Sequence, residues 1–405
     1  MNHKIGQPEL LKEINRSRAF EILKSTRILS RPELAQQTGL SRATIALLME
    51  DLLRVGVAHH VGLGDSTGGR PPALLEFNPE AAYAIGAAMR DHQWRIVITN
   101  LDAKVIHRLD APLRSVAPED AVAALQEGLT QLLDKIERSK VLPALGLGTP
   151  GLVDMPSGII KTAVDVGWFE VPIRELAERA TGMPTLVANR SKVGALAEYW
   201  FGANEGPHDL IYISIGTGVS AGIVHAGELY MGFNSSAGEL GHVTILPDGP
   251  LCRCGNRGCL QQLVSEPAIA DRARVQLRVN SDTLLARLAG NYPERVTAEM
   301  VFSAAGQGDA LALELVAETA RYLGIAIATL VNLFNPQRII LGGPVGQMSG
   351  VMLPMLQDEV RKRALSYPLS VAQILPSTLG ADANAVGAAA LVLRQASELI
   401  FAEKD

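Results

Sequence analysis

The stretch RAFEILKSTRILSRPELAQQTGLSRATIALLMEDLLRVGVAHHV, residues 18–61, contains three helical periodicities separated by short breaks. Ile22 and Leu23 supply the inward side of the first. Ser30 is placed to cap the second, with Pro32 in the first turn and Glu33 three residues after the cap. That spacing lets the glutamate reach back to the cap's own N–H. Leu34 and Ala35 face inward from this helix, Thr38-Gly39-Leu40 makes a tight turn, and Ser41 caps a third helix. The third helix buries Ile45, Leu48, Leu52 and Leu53 on one face. Two short helices joined in this way read as a helix-turn-helix, whose second member enters a DNA major groove; a plain three-helix bundle is the competing reading. Ser41, Arg42 and Thr44 lie on the outward, N-terminal part of the third helix, where small Ala43 and Ala46 permit close approach. Arg42 suits a guanine edge or a phosphate.

A wing is expected next. Gly56-Val57-Ala58 starts a strand, LGDSTGG is the turn, and Pro72–Phe77 returns. Arg70, between Gly69 and Pro71, suits a narrow minor groove or a solvated hairpin tip. One winged helix contacts little DNA, so a homodimer or tetramer reading paired half-sites of double-stranded operator DNA is expected. Residues 1–80 carry ten Lys and Arg against nine Asp and Glu, the remainder 27 against 33. A net charge of −5 argues against a surface generally coated by nucleic acid and fits a small reader on an acidic body.

The chain of 405 residues, 47% hydrophobic with 38 glycines, is long enough for several α/β units with many tight turns. Its longest apolar runs, such as LGIAIATLVNLF at 323–334, are too short to cross a bilayer. The N-terminus has no apolar signal core, so no membrane partner and a cytoplasmic location are expected.

All three cysteines fall within HVTILPDGPLCRCGNRGC, residues 242–259. His242, Cys252, Cys254 and Cys259 are the donors of a Cys₃His site for one Zn²⁺ per chain, structural because protein fills all four positions. A reducing compartment favours thiolate ligation over a disulfide with an odd thiol, or isolated buried thiols. Beyond Ala81 the pattern changes. AYAIGAAM, WRIVITN and KVIHRLD read as strands, followed by a helix over Pro118–Ser139 and the strand LPALGLG. A second round begins with DLIYISIGTG and SAGIVHAGELYMG and continues with a helix over 310–333, the strand RIILGG and a last helix near Asp382. Two such rounds argue for two mixed-sheet lobes with a ligand cleft between them.

The pattern His242 … Cys252-Arg253-Cys254-Gly255-Asn256-Arg257-Gly258-Cys259-Leu260, with Glu239-Leu240-Gly241-His242 and LGADANAVGAAAL at 380–392, resembles the ROK family of bacterial sugar kinases and sugar-responsive repressors. The resemblance covers the whole chain when the repressor branch is compared. It implies an α/β fold: an N-terminal winged helix-turn-helix (1–80), then a two-lobed actin-like, ribonuclease-H-like body (81–200 and 201–405), with the helix after 382 packing back on the first lobe. Where the family's kinases have Asn-Asp, with the aspartate as base, this chain has Asn189-Arg190, and a guanidinium has no acceptor. The family's first phosphate loop, D-x-G-G-T, corresponds to Ile85–Asp91, which lacks the aspartate at Ala87 and the paired glycines. The second, Ser214–Gly222, and Gly342-Gly343 read as remnants that join strands. The expected protein is therefore not an enzyme; residual sugar kinase activity is the alternative.

By the same resemblance Gly151, Asn189, Glu239 and His242 match the family's sugar pocket, Gln261 stands where the family has glutamate, and Asp165, near Trp168, where it has asparagine. With Arg190 these form the expected effector site. Arg190 suits an anionic substituent; alternatively it pairs with Asp165 and closes an empty catalytic region. The effector is thus expected to be a sugar, sugar phosphate or sugar acid. The overall expectation is a sugar-responsive repressor of carbohydrate genes, with sequestration by a sugar-transport protein as a further alternative.

Overall fold

The computed structural model describes residues 7–64, 71–90, 92–202 and 209–402. The N-terminal unit runs α1 (Gln7–Thr26), β1 (Ile28–Ser30), α2 (Arg31–Thr38), α3 (Arg42–Arg54), β2 (Ala58–Leu63) and β3 (Ala73–Phe77). Ser30 closes a reciprocal cap on α2: its N–H donates to Glu33 Oε2 at 2.6 Å and its Oγ accepts from the Glu33 N–H. Gly39 ends α2 in the left-handed region at φ 70°, where a side chain would strain the turn. Leu23, Leu34, Ile45, Leu48 and Leu52 are buried as the periodicity requires, with Met49 added and Leu53 only partly covered. The wing holds one strand more than the expected hairpin, because β1 pairs antiparallel with β3. Three residues are too few to show an alternating pattern in sequence.

The body contains two five-stranded sheets of the same topology. In the first, β4 (Tyr83–Arg90), β5 (Gln93–Asn100) and β6 (Val105–Pro112) form an antiparallel meander. Helix α4 (Pro118–Leu133) leads to β7 (Val141–Thr149), parallel to β4. It is shorter than expected: the Asp134 and Lys135 N–H groups bond back to Thr130 and Leu132 and close the last turn. A small sheet of β8 (Leu152–Asp154), β9 (Ile159–Ala163) and β10 (Trp168–Val171) intervenes. Then come α5 (Ile173–Thr181), β11 (Thr185–Asn189), parallel to β7, and α6 (Arg190–Phe201).

The second sheet repeats this order with β12 (Leu210–Ile215), β13 (Val219–His225) and β14 (Glu228–Leu229) as the meander. Helices α7 (Gln261–Val264), α8 (Glu266–Leu277), α9 (Leu284–Leu288), α10 (Ala298–Gly306) and α11 (Ala310–Phe334) follow. Strand β15 (Arg338–Gly342) lies parallel to β12; α12 (Gly343–Gln347), α13 (Met352–Arg361) and α14 (Ser366–Leu369) lead to β16 (Gln373–Pro376), parallel to β15. The chain ends in α15 (Ala383–Leu393) and α16 (Ala396–Ala402). Ile211, Ile213 and Ile215 face the core shared with α8–α13, while Tyr212 turns to the other face, the period of two expected of a strand buried on both sides.

Two helices lie between the sheets. A methyl group at Gly86 would stand 2.2 Å from both Ala385 O and Ala389 N, so α15 rests directly on β4. Gly222 of β13 meets the Ser191 carbonyl of α6 in the same way, and Gly387 brings α15 against the Val193 carbonyl of α6. From there α16 reaches the N-terminal unit: Ser17 and Ser397 hydroxyls lie 3.0 Å apart, and the Arg16 guanidinium sits over the Phe401 ring at 5.1 Å. One apolar core runs from Phe20 and Leu23 through Phe77 to Ile400 and Phe401. Among the described residues no single helix is long and apolar enough to cross a membrane; the apolar pair at 380–402 is bent by 52° and largely buried in this core.

Candidate functional site

Residues from both lobes converge on one cavity of about 230 Å³. Gly151, Asp165, Asn189, Arg190, Glu239, His242 and Gln261 all line it. A methyl group at Gly218 would stand 3.2 Å from Asp165 Oδ2, 3.7 Å from Gln261 Oε1 and 3.9 Å from Arg190 Nη2. An acid, an amide and a guanidinium thus point into the space that the missing side chain leaves. The cavity opens into an inter-lobe cleft of about 840 Å³, which Asp165, Arg190 and Gln261 also line.

The individual roles differ. Asn189 caps α6 through its Oδ1, which accepts the Ser191 N–H at 2.9 Å, and its Nδ2 donates to Gly151 O at 2.7 Å. It is chiefly a brace, with one N–H left for a ligand. Gly151 holds φ at +81°, and a Cβ there would strike Thr162 O. Burial raises the Glu239 carboxyl above its ordinary range, against the opposing pull of His242 and Lys192. Lys192, 3% exposed, donates to Ser235 O and fixes the segment leading to Glu239; burial lowers its ammonium, which Glu239 partly offsets. Arg190 forms no ion pair among the described residues, so the alternative pairing with Asp165 is not made.

The ligand atoms of His242, Cys252, Cys254 and Cys259 lie within 4.8 Å of one another. Cys254 and Cys259 Sγ are 3.7 Å apart, and His242 Nδ1 is 3.8 Å from Cys252 Sγ. Four donors about 2.0–2.3 Å from one ion stand about 3.3–3.8 Å apart at tetrahedral corners, so the cluster fits a metal of zinc's size. Burial raises the Cys252 thiol, but hydrogen bonds from Cys254, Gln261 and Cys259 outweigh it and bring the group down to about 6. Burial and the neighbouring sulfurs push Cys259 up to about 12. Three crowded sulfurs cannot all ionise without a cation, which is the chemistry a divalent metal supplies. Gln261 Nε2 donates to Cys252 Sγ at 3.3 Å while its oxygen faces Gly218, so this side chain ties the metal cluster to the cavity.

On α3, Ser41 Oγ accepts the Thr44 N–H at 3.2 Å, which makes Ser41 and Thr44 the cap of the helix as well as part of its outward face. Arg42 is exposed beside them. Arg70 lies outside the described residues. Residues missed in sequence include Leu47, 64% exposed on the outer face of α3, and Arg253, which lines the cavity. The signal for Arg253 was available: two metal ligands flank it and fix its backbone.

The sequence profile of the ROK family matches residues 85–395. A xylose repressor from Caldicellulosiruptor bescii is 29% identical over 397 residues, 96% of this chain and 98% of the relative. A glucokinase from Halalkalibacterium halodurans is 36% identical over 289 residues, but these cover only 69% of this chain and 87% of the relative. A crystal structure of a ROK family transcriptional regulator, a homologue of the E. coli MLC protein, superposes with a TM-score of 0.82 at 27% identity, covering 97% of this chain and 98% of that one.

Proposed function

The chain belongs to the ROK family, and from that premise we propose that it is a carbohydrate-responsive transcriptional repressor without kinase activity. The observation that carries the reading is end-to-end likeness to a transcriptional regulator, N-terminal unit included, where the glucokinase match leaves about a third of the chain uncovered. Residues 1–80 read operator DNA, with Ser41, Arg42 and Thr44 at the major groove and Arg70 at the wing. Residues 81–200 and 201–405 form the sensing lobes. Gly151, Asp165, Asn189, Arg190, Glu239, His242 and Gln261 form the effector site, and the Cys₃His cluster holds one structural zinc ion.

Two features of the cleft support the non-enzymatic part. Arg190 stands where a kinase needs a proton acceptor, and its guanidinium has none. At the family's first phosphate turn Ala87 is buried within the β4–β5 ladder, so that position offers no carboxylate to place a metal ion beside a phosphate. The protein acts in the cytoplasm as a dimer on two-fold operators, and ligand binding changes DNA affinity because it favours one lobe arrangement.

Genome-wide DNA occupancy with and without added sugars tests this. Selective, sugar-dependent occupancy of two-fold sites beside carbohydrate genes is expected. Arg42→Ala should weaken selectivity at one base-pair position by about 1–3 kcal/mol. Absence of any selected sequence, or sugar-dependent ATP hydrolysis by the pure protein, would overturn the assignment.

A further inference from the structure

Arg190 and Arg253 face the mouth of the cavity from opposite lobes. Arg190 opens α6, and Arg253 sits between Cys252 and Cys254. Both line the 230 Å³ cavity and the 840 Å³ cleft, so they flank the place where one opens into the other. Among the described residues neither forms an ion pair. The other charges on the cleft wall are largely matched: Arg272 pairs with Glu318, and Asp271 with Arg274. Asp165 remains at the mouth and Glu239 at the inner end, carboxylates suited to accept sugar hydroxyls.

Two guanidinium groups without an ion-pair partner among the described residues, Arg190 half-buried and Arg253 exposed at the rim, stand one on each wall and offer forked donors of matching charge to an anion between them. The inner cavity has room for a single monosaccharide ring against Glu239 and His242. We infer that the effector is a monosaccharide carrying an anionic substituent, a phosphate or a carboxylate, clamped between Arg190 of one lobe and Arg253 of the other. The inference rests on the carbohydrate reading above and adds the effector's charge and a second arm for its recognition. An anion that bridges the lobes binds their closed arrangement better than an open one, which is the differential affinity a ligand-driven switch requires. If the anion is a phosphate, it occupies the side of the sugar that a kinase of this family would phosphorylate, so the reaction class that supplies the effector is sugar phosphorylation.

Calorimetric titration of the full-length, zinc-loaded protein tests this with hexoses and N-acetylhexosamines, their 6-phosphates, the matching uronates, and inorganic phosphate. One anionic sugar should bind at least tenfold more tightly than its neutral parent, and the preference should shrink with added salt. The phosphate and uronate arms identify which anion is read. Arg190→Ala and Arg253→Ala should each cut the preference about tenfold, and Arg253→Lys should keep part of it. Zinc content and melting temperature are measured for each variant, and Arg253→Lys replaces Arg253→Ala if the alanine loses metal. Equal or tighter binding of the neutral parent, a preference that survives both substitutions, or inorganic phosphate binding as well as the sugar phosphate would overturn the inference and leave the carbohydrate reading standing. Binding of no sugar of any charge would overturn both.

Discussion

The two sheets repeat one strand order, yet their first hairpins close differently. Between β4 and β5 the ladder continues to Arg90 paired with Gln93. Ala87 lies within that ladder, fully buried in a core with Ile85, Met89 and Trp94. Between β12 and β13 the ladder stops at Ile215 paired with Val219, and Gly216-Thr217-Gly218 makes a loop in which the Gly216 N–H donates to Gly218 O at 2.9 Å. A kinase of this family uses both turns to cradle phosphate. Here the first has become ordinary strand and core, while the second keeps its glycines for a different use: Gly218 leaves space for Asp165, Gln261 and Arg190. A glycine motif therefore reports where backbone is left open. The groups opposite it decide what chemistry enters.

The lobes also differ in their side-chain clusters: among the described residues the one candidate metal cluster, His242 with Cys252, Cys254 and Cys259, lies in the second, and the largest expected effect comes from disrupting it. Cys259→Ser should abolish stoichiometric zinc and expose residues 239–262 to limited proteolysis, while the first lobe and N-terminal unit stay protected. Ligation is worth on the order of 10 kcal/mol in small zinc modules, so even a partial share is large here. Elemental analysis and peptide mapping check this; equal protease sensitivity of both lobes would break the contrast. A first-lobe test is its close backbone contact with α15. Gly86→Ala should drive a methyl into Ala385 O and Ala389 N of α15, costing about 3 kcal/mol in denaturant unfolding. Wild-type stability would mean that α15 does not rest on β4 as described. The smallest effect is expected at the second turn. Gly216→Ala meets only Pro344 Cδ at 3.3 Å and Glu266 at 3.6 Å and should change stability by less than about 0.5 kcal/mol. It should also leave effector affinity unchanged in titration. A marked loss of affinity would show that this turn still contacts ligand.

Much of this architecture was legible in the sequence because its signals are local. The Ser30–Glu33 cap, the Gly39 turn and the apolar face of α3 each depend on residues within one or two helical turns, and all three formed. The strand-rich rounds were legible for the same reason. Strand β1 and the short β8–β10 sheet were not: each strand is too brief to carry a period, and its partner lies elsewhere in the chain. The end of α4 was set by a closing turn that leaves no residue signature.

The sequence by itself determined the donors of the metal cluster and the loss of a proton acceptor at Arg190, because thiolate count and guanidinium chemistry do not depend on context. It also determined helix α3 through its cap and periodicity. Only the tertiary structure decided what those groups face. It tied Gln261 to Cys252 and made Asn189 a brace for Gly151. Among the described residues it left Arg190 without an ion-pair partner, and it brought Arg253 to the same cavity. It also joined α16 to α1, so that the first sheet, the C-terminal helices and the N-terminal unit share one core. Contacts between residues hundreds of positions apart are fixed by packing of whole sheets and helices, and no window of sequence contains them.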